Sequence, residues 1–262
     1  VWEWLRVMDE MPRRPPILAV ENVVGLASSK QGAHYRELHR TLASRGYRVG
    51  AMLLDAVQWL PQSRPRIFVV AVDEKVAVPE NLYSNKPSWI HPSTIQKAAK
   101  NLENWIWWSL PEPPTRTLTL SQLIDFDAPC HDAELCKKNL ALIPDAHRKK
   151  LDRCGLSVVP GYKRMRAGKQ VLELRFDDVA GCLRTPSGGS SRQYLVIKSN
   201  NCWKTRLITP REAARLMGAQ DNFQLPGSFN DGYKAMGDAV AVPVASYLAE
   251  HILLPLAEAL HG

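Results

Sequence analysis

Pro16-Ile17-Leu18-Ala19-Val20-Glu21-Asn22-Val23 is the stretch of sequence that decides the fold. Its first five residues are continuously apolar, a pattern typical of a strand buried in a parallel sheet. Polar side chains begin at Glu21, and in doubly wound α/β sheets ligands bind where such strands end. The stretch therefore predicts a doubly wound α/β protein with Glu21 as a candidate functional residue. A helix cap or a surface ion pair is the alternative role for this carboxylate.

The residues that follow continue the α/β pattern. Tyr35, Leu38 and Leu42 recur at helical spacing, and Gly46 is placed to end their helix. Two β-rich runs between residues 47 and 72 come next, and we expect them to pair. Residues 1–75 are therefore assigned to one α/β domain.

The rest of the chain divides into two further parts. Residues 76–205 alternate prolines, short runs and basic residues, which predicts a smaller, irregular domain whose tryptophans mainly pack its core. Regular structure returns over 206–262, expected to complete the first domain. There Thr209-Pro210-Arg211-Glu212 is a capping box that begins a helix, and a long apolar helix is expected near the end, over about 243–260.

Composition excludes several classes of protein. The chain has 262 residues, 45% hydrophobic and 23% charged, as in ordinary globular proteins. No consecutive apolar run of about 18 residues and no signal-peptide pattern is found, which disfavours membrane insertion and secretion. The five cysteines include no Cys-x-x-Cys pair, so we expect no disulfide framework and no metal site, and a cytoplasmic location fits best. The sequence begins with Val1 inside a predicted helix, so we expect it to be a piece of something longer.

The positive charge is concentrated in one segment. The net charge is +8, and residues 137–169 alone contain ten basic residues against Asp145 and Asp152. A solvated helix face usually mixes both signs, so this block favours a polyanionic partner. A basic surface with no partner is the alternative interpretation.

Two more short motifs carry polar side chains. Gln62, Arg64 and Arg66 alternate at strand spacing, so they are predicted to face the same way and to suit a phosphate or a carbonyl oxygen. An ordinary polar strand edge is the alternative. Gly237-Asp238-Ala239-Val240 precedes the long apolar helix, whose N-terminus can hold a polar ligand group. A simple N-cap explains Asp238 equally well.

Together and in this order, the motifs resemble those of the DNA cytosine-5 methyltransferases. Glu21-Asn22-Val23 is similar to that family's ENV motif, and Gln62, Arg64 and Arg66 to its QxRxR motif. The segments 206–212 and 237–242 resemble its ninth and tenth motifs, the latter GNxV in the family and GDAV here. The segment 184–193 resembles the end of its target-recognition region. The resemblance implies a partial Rossmann-like methyltransferase sheet with a target-recognition domain.

The resemblance also implies roles for the matching residues. Glu21 would bind a flipped-out cytosine at N3 and its amino group, and Arg66, together with Arg64, would contact the base carbonyl or a phosphate. S-adenosylmethionine is the implied cofactor, its methionine end lined by Gly237, Asp238, Ala239 and Val240. Double-stranded DNA is the implied partner. The residues implied to bind it are Gln62, Lys163, Arg164, Arg166, Arg184, Gly188, Gly189, Ser190, Ser191, Arg192 and Gln193.

Three family features have no match in the sequence. The glycine-rich cofactor loop, the acidic ribose ligand and the Pro-Cys-Gln nucleophile belong before the ENV motif, and none of the twenty residues before Glu21 matches them. Pro129-Cys130-His131 is the only Pro-Cys of the chain, and it lacks the Gln. We therefore expect a C-terminal part, inactive alone, whose missing half lies on the same chain or on a separate subunit. Two alternatives stay open, a DNA-binding module without catalysis and an RNA cytosine-5 methyltransferase of the same fold.

Overall fold

The computed structural model describes residues 2–185, 192–199 and 202–260. The chain divides into two compact units. Unit 1 comprises Val1–Leu54, Pro65–Glu112 and Ser246–Gly262, and unit 2 comprises Asp55–Arg64 and Pro113–Ala245. These bounds differ from the predicted boundaries at 75 and 205, and the three-part functional division remains a prediction.

The helices and strands follow one another along the chain in a mixed order. They are α1 (Trp2–Glu10), β1 (Ile17–Val23), α2 (Gly25–Ser28), α3 (Ala33–Ala43), β2 (Tyr47–Asp55), β3 (Pro65–Asp73), β4 (Tyr83–Ser84), α4 (Ser93–Ala99), β5 (Trp107–Trp108), α5 (Ala133–Ala141), α6 (Asp145–Leu151), β6 (Val158–Arg166), β7 (Lys169–Leu174), β8 (Gln193–Ser199), β9 (Cys202–Leu207), α7 (Pro210–Leu216), α8 (Phe229–Asp238), α9 (Val242–Leu248) and α10 (Leu254–Glu258).

Unit 1 is built on a three-stranded sheet with the order β1-β3-β2. The predicted pairing of the two β-rich runs is confirmed, and β3 lies in the centre, antiparallel to β1. The helix predicted from Tyr35, Leu38 and Leu42 is α3, whose three apolar residues are buried. Gly46 has a φ of +83°, a conformation that favours glycine and ends the helical segment as predicted.

The predicted setting of β1 is wrong in one respect. Continuous apolar sequence predicted a strand buried on both faces within a parallel sheet, whereas β1 pairs with β3 antiparallel. Leu18 is buried but Ala19 and Val23 are exposed. The physical reason is position, because β1 is an edge strand of the sheet that the described residues form.

The tryptophans at 105, 107 and 108 pack as predicted, but they do so within unit 1, against its three-stranded sheet and α3, and not in the core of a separate irregular domain. Trp108 is fully buried and its Nε1 donates to the Val70 carbonyl of β3 at 3.1 Å. The segment that carries Trp108 lies so close to β2 that residue 50 must be a glycine. A Cβ at Gly50 would lie 2.2 Å from the Ile106 carbonyl oxygen. Trp105 stacks on the buried His39 ring of α3 at 5.6 Å.

Unit 2 contains a four-stranded antiparallel sheet with the order β7-β6-β8-β9. Helices α5 and α6 precede it, and its core joins Ile143 and Leu151 to Val159, Leu172 and Val196. The segment predicted to be irregular is therefore partly a regular sheet.

The predicted capping box is confirmed, because the Thr209 hydroxyl accepts from the Glu212 amide and the Glu212 carboxylate accepts from the Thr209 amide.

The last helices include an apolar stretch. Phe229–Glu258 contains an 18-residue window with a mean hydropathy of 1.5, long and apolar enough by those measures alone to cross a membrane. Helical structure is interrupted there, however, because Ala239 is extended and the helix resumes only at Val242. The helical run from Val242 to Glu258, which includes one π-helical turn, is about 25 Å long at 1.5 Å per residue. That is shorter than the ~30 Å apolar layer of a bilayer, so the stretch is weak evidence for a membrane span.

Candidate functional site

A carboxylate and a guanidinium form an ion pair at the end of β1. Glu21 lies opposite Phe68, and Val23 opposite Arg66, so Glu21 and Arg66 are diagonal neighbours on one face of the sheet. The Arg66 Nε lies 2.8 Å from the Glu21 Oε1, with the two side chains 15% and 25% exposed. Oε1 is buried against the guanidinium. The 25% of the Glu21 side chain that remains exposed is therefore the part that a ligand can reach.

Gln62 and Arg64 lie in unit 2, before β3 begins, and they do not share the role of Arg66. The prediction that all three side chains face one way along a strand is wrong, because the strand starts only at Pro65. Gln62 is fully buried. Its Nε2 donates to the Leu216 carbonyl at 2.6 Å and its Oε1 accepts from the Leu183 amide. Gln62 thus has no surface to offer DNA in this structure.

Arg64 is a buried connector of backbone segments. Its Nη1 donates to the Leu183 carbonyl at 2.9 Å, and its Nη2 donates to the carbonyls of Gly237 and Ala239 at 3.0 and 2.6 Å. With 3% of its surface exposed, it cannot reach a base or phosphate here.

Sequence reasoning missed Asp55, whose Oδ1 accepts from the Arg64 amide at 2.7 Å and so positions this loop. An aspartate directly after a β-rich run is the signal that could have found it.

The predicted cofactor segment ends one helix and, as predicted, precedes another, since α9 begins at Val242. Gly237 and Asp238 are the last residues of α8, so the alternative N-cap role of Asp238 is wrong. The cause is a helix over 229–238, capped by Ser228, that the sequence reading missed. The Thr185 hydroxyl donates to the Asp238 carboxylate. A Cβ on Gly237 would lie 2.6 Å from the Thr185 amide nitrogen, so the two segments touch through backbone.

A pocket of about 350 Å³ adjoins this segment within unit 2. Ala239 and Val240 lie on its lining together with the C-terminal end of α7, where Met217 and Gly218 are placed. Its lining is mostly apolar, and Gln220 and Asn222 supply the polar side chains.

The basic residues Lys163, Arg164 and Arg166 lie on a protruding hairpin. Within the described residues, strand β6 pairs with β8 up to Tyr162, and from Lys163 onward it pairs with β7 alone. Ala167 and Gly168 form the turn, with φ values of +46° and +76°, as in the two-residue turns that suit β-hairpins. We call residues 163–172 the ribbon, a two-stranded extension about 13 Å long at 3.3 Å per residue.

The ribbon is basic with an apolar residue near its tip. Arg164 and Arg166 share one face and both pair with Glu173, at 3.2 and 2.5 Å. The hydrogen bond from Arg166 lowers the pKa of Glu173 below its ordinary value. Lys163 lies over the Tyr194 ring on the opposite face, and Met165 near the tip is 62% exposed.

The other predicted DNA-binding residues are divided between surface and interior. Arg192 is half-buried, and its Nη2 donates to the Asn230 Oδ1 at 2.6 Å. Gln193 is fully buried in β8, where its amide nitrogen donates to the Tyr233 hydroxyl, so it presents no surface to DNA. Arg184 is exposed. Gly188, Gly189, Ser190 and Ser191 lie outside the described residues.

The fold is that of a methyltransferase of the α/β class. It is similar to the solved structure of the Entamoeba histolytica methyltransferase EhMeth, with a TM-score of 0.58, 15% identity, and coverage of 95% of this chain and 66% of that one. It is also similar to the Dnmt2 methyltransferase of S. pombe, with a TM-score of 0.53, 19% identity, and coverage of 97% and 72%.

Within that class the chain belongs to the C-5 cytosine-specific DNA methylase family, whose model matches residues 1–254. It is 25% identical to the type II methyltransferase M1.ScrFI of Lactococcus lactis subsp. cremoris, over 96% of this chain and 54% of that one. It is 23% identical to the type II methyltransferase M.HhaI of Haemophilus parahaemolyticus, over 92% and 64%. The chain thus spans about half to two thirds of the length of these relatives.

Proposed function

We propose that this chain is the base-binding and target-recognition part of an enzyme that transfers a methyl group from S-adenosylmethionine to C5 of cytosine in DNA. The observation that carries the proposal is the Glu21–Arg66 ion pair at the end of β1, in a chain of this family. A protein that only binds DNA gains little from a carboxylate that stays 25% exposed at its binding face, because the carboxylate repels phosphate. This argues against the DNA-binding module as the alternative.

The pair suits a cytosine that has left the duplex. C5 and C6 cannot be reached inside the base stack, so the base must be extruded into a pocket. There the Glu21 carboxylate accepts from the cytosine amino group and, once N3 is protonated, from N3–H. It thereby stabilises the protonated ring, which activates C6 toward a thiol. Arg66 holds the carboxylate in place. The thiol and the glycine-rich cofactor loop come from sequence outside these 262 residues, on the same chain or on a second subunit.

The segment 237–240 fits a limited part of the cofactor. S-adenosylmethionine supplies the methyl group, and it carries an ammonium, a carboxylate and a sulfonium besides its adenosine. The 350 Å³ pocket beside Ala239 and Val240 offers apolar walls and two amide side chains, and no charged group lies among its described lining residues. The pocket therefore suits an uncharged portion, and the remaining contacts must be supplied by the part that carries the cofactor loop.

The ribbon is proposed as the element that enters the DNA groove. The major groove admits a two-stranded β-ribbon, and the guanidiniums of Arg164 and Arg166 suit phosphate oxygens or guanine. Exposed Met165 supplies an apolar contact of the kind that reads a thymine methyl group. Replacing Arg166 by Gln is expected to lower the slope of log affinity against log salt by about one phosphate contact. Arg6→Gln on α1, an exposed arginine paired with Glu3 and Glu10, is the matched control and should leave the slope unchanged.

The test of the proposed reaction is Glu21→Gln in the complete assembly, with the missing part added in trans or fused. Losing the carboxylate should lower the methylation rate by about 100-fold or more while duplex binding is kept, since one aimed group contributes this much. Glu37→Gln, on the exposed side of α3, is the control. A Glu21→Gln enzyme that methylates at the parent rate would refute the catalytic role. Methylation of tRNA in preference to duplex DNA would favour the RNA-modifying alternative.

A cytoplasmic location is part of the same proposal. DNA methylation in a restriction-modification setting takes place where the DNA is, and the thiols of Cys130, Cys136, Cys154 and Cys202 suit a reducing compartment.

A further inference from the structure

Unit 2 contains a second, larger pocket that the proposed function does not use. Its volume is about 770 Å³, and it lies between α5 and the edge strand β9, with one side chain added from α6. Volumes of this size are typical of sites for small organic ligands.

The charge of the pocket has one sign. Lys137 of α5, Lys204 of β9 and Arg148 of α6 line it, and its described lining residues include no carboxylate. Arg148 is held in place, since its Nη2 donates to the Leu140 carbonyl at 3.1 Å. His131 also lines the pocket, and its Nδ1 shares a hydrogen bond of 3.0 Å with the Thr205 hydroxyl. Burial lowers the pKa of His131. The three cations on the lining are therefore not offset by a carboxylate on that lining.

The walls supply an apolar, partly aromatic surface. Trp203 lines the pocket and packs against the core cluster of unit 2, so its indole is held by the fold. Leu140, Ala133 and Ala141 add aliphatic surface. Aromatic side chains of this kind stack on nucleobases, and guanidinium and ammonium groups bind phosphate oxygens.

The pocket thiols do not make a metal centre. Cys130, Cys136 and Cys202 line it, but no cluster of three His, Cys, Asp or Glu side chains with ligand geometry occurs in the part of the chain that the structure describes. Cys136 is engaged within the fold, where its thiol donates to the His131 carbonyl and lies 3.3 Å from the Thr205 amide nitrogen.

We propose that this pocket binds a nucleoside phosphate, with the base against Trp203 and the phosphate among Lys137, Arg148 and Lys204. The ligand is either a free mononucleotide or an unpaired nucleotide within a strand, since both present the same base and phosphate.

The test is isothermal titration of the protein with adenosine 5′-monophosphate, adenosine, inorganic phosphate and a short single-stranded oligonucleotide. Lys137→Gln and Lys204→Gln should each weaken nucleotide binding about fivefold to tenfold, the loss expected for one charge-assisted contact. Lys138→Gln is the matched control, because Lys138 lies on the same helix, pairs with Glu134 and does not line the pocket. Unchanged thermal unfolding midpoints verify that these surface variants fold.

Each outcome decides the proposal. Binding of the mononucleotide, weakened by both pocket variants and not by Lys138→Gln, supports a free ligand. Binding of the oligonucleotide alone with the same pattern supports a nucleotide within a strand. No binding of either, or equal weakening by all three variants, overturns the site and indicates general attraction to a basic surface. Glu21→Gln methylation assays are independent of this result, so the two proposals fail separately.

Discussion

Replacing Glu212 by Gln should destabilise unit 2 strongly, because this carboxylate is the acceptor for four buried donors. Its two oxygens accept from the Arg206 guanidinium at 2.5 and 2.7 Å. They also accept from the amides of Asp125 and Thr209 at 2.9 and 2.8 Å. Glu212 is 0% and Arg206 3% exposed, so water cannot replace a lost partner. In Glu212→Gln the side-chain NH2 group would point at N–H donors, which it cannot accept from. The positive charge of Arg206 would stay buried with no negative charge beside it.

The magnitude follows from this geometry. Removing one member of a buried ion pair costs about 3–5 kcal/mol, most of it from the charge left behind. For a domain of this size about 1 kcal/mol corresponds to 2–4 °C in the unfolding midpoint, so the midpoint should fall by roughly 6–20 °C. The exposed Arg215–Asp221 pair, whose arginine lies on the same helix, gives the contrast. Asp221→Asn should change stability much less than Glu212→Gln, because solvent screens an exposed ion pair.

Urea unfolding followed by circular dichroism measures the free energies of unfolding of both variants. Protease susceptibility of unit 2 gives a second readout that does not depend on global unfolding. The double variant Arg206→Met with Glu212→Leu should recover part of the loss, because it removes both charges together, while the amides of Asp125 and Thr209 still lose their acceptor. The reasoning is refuted if Glu212→Gln is no more destabilising than Asp221→Asn, or if the double variant is worse than the single one.

Two further predictions concern unit 1 and the end of α8. Burial lowers the pKa of His91 from 6.5 to about 4. As the pH falls, His91 therefore takes up its proton at a higher pH in the unfolded chain than in the folded protein. Stability should therefore fall by up to about 3 kcal/mol as the pH drops from 6.5 toward 4, and urea unfolding across this range should show a smaller slope in His91→Gln. Gly237→Ala places a Cβ 2.6 Å from the Thr185 amide nitrogen, with backbone that cannot move aside cheaply. It should cost about 1–3 kcal/mol in the same assay, whereas Gly227→Ala, with no atom within 4 Å of its Cβ, should not.

Local signals in the sequence predicted local structure well. The capping box at Thr209, the glycine stop at Gly46 and the apolar face of α3 each depend on residues within about one helical turn of one another. The turn at Ala167-Gly168 between two alternating runs carried a similar signal for the β6–β7 hairpin, and the prediction of an irregular domain overlooked it.

Long-range partners could not be predicted from spacing. The even alternation of Gln62, Arg64 and Arg66 suggested one shared face, but each side chain is oriented by groups far away in sequence. Gln62 is bound by Leu216, and Arg66 by Glu21. The place of β3 between β1 and β2 likewise depends on which strands meet, and two strands of similar composition do not encode that order locally.

The carbonyls that Arg64 binds have a consequence for biosynthesis. The guanidinium joins residue 64 to carbonyls 119, 173 and 175 positions further along the chain. Because the ribosome makes the chain from the N-terminus, Arg64 leaves the exit tunnel long before its acceptors exist. The contacts of Arg64 within unit 2 can therefore be completed only after residue 239 has been synthesised. Until then the Arg64 guanidinium, which is buried in the folded unit, remains in solvent. Contacts of such separation slow folding, so the unit is exposed to chaperones and proteases for most of its translation.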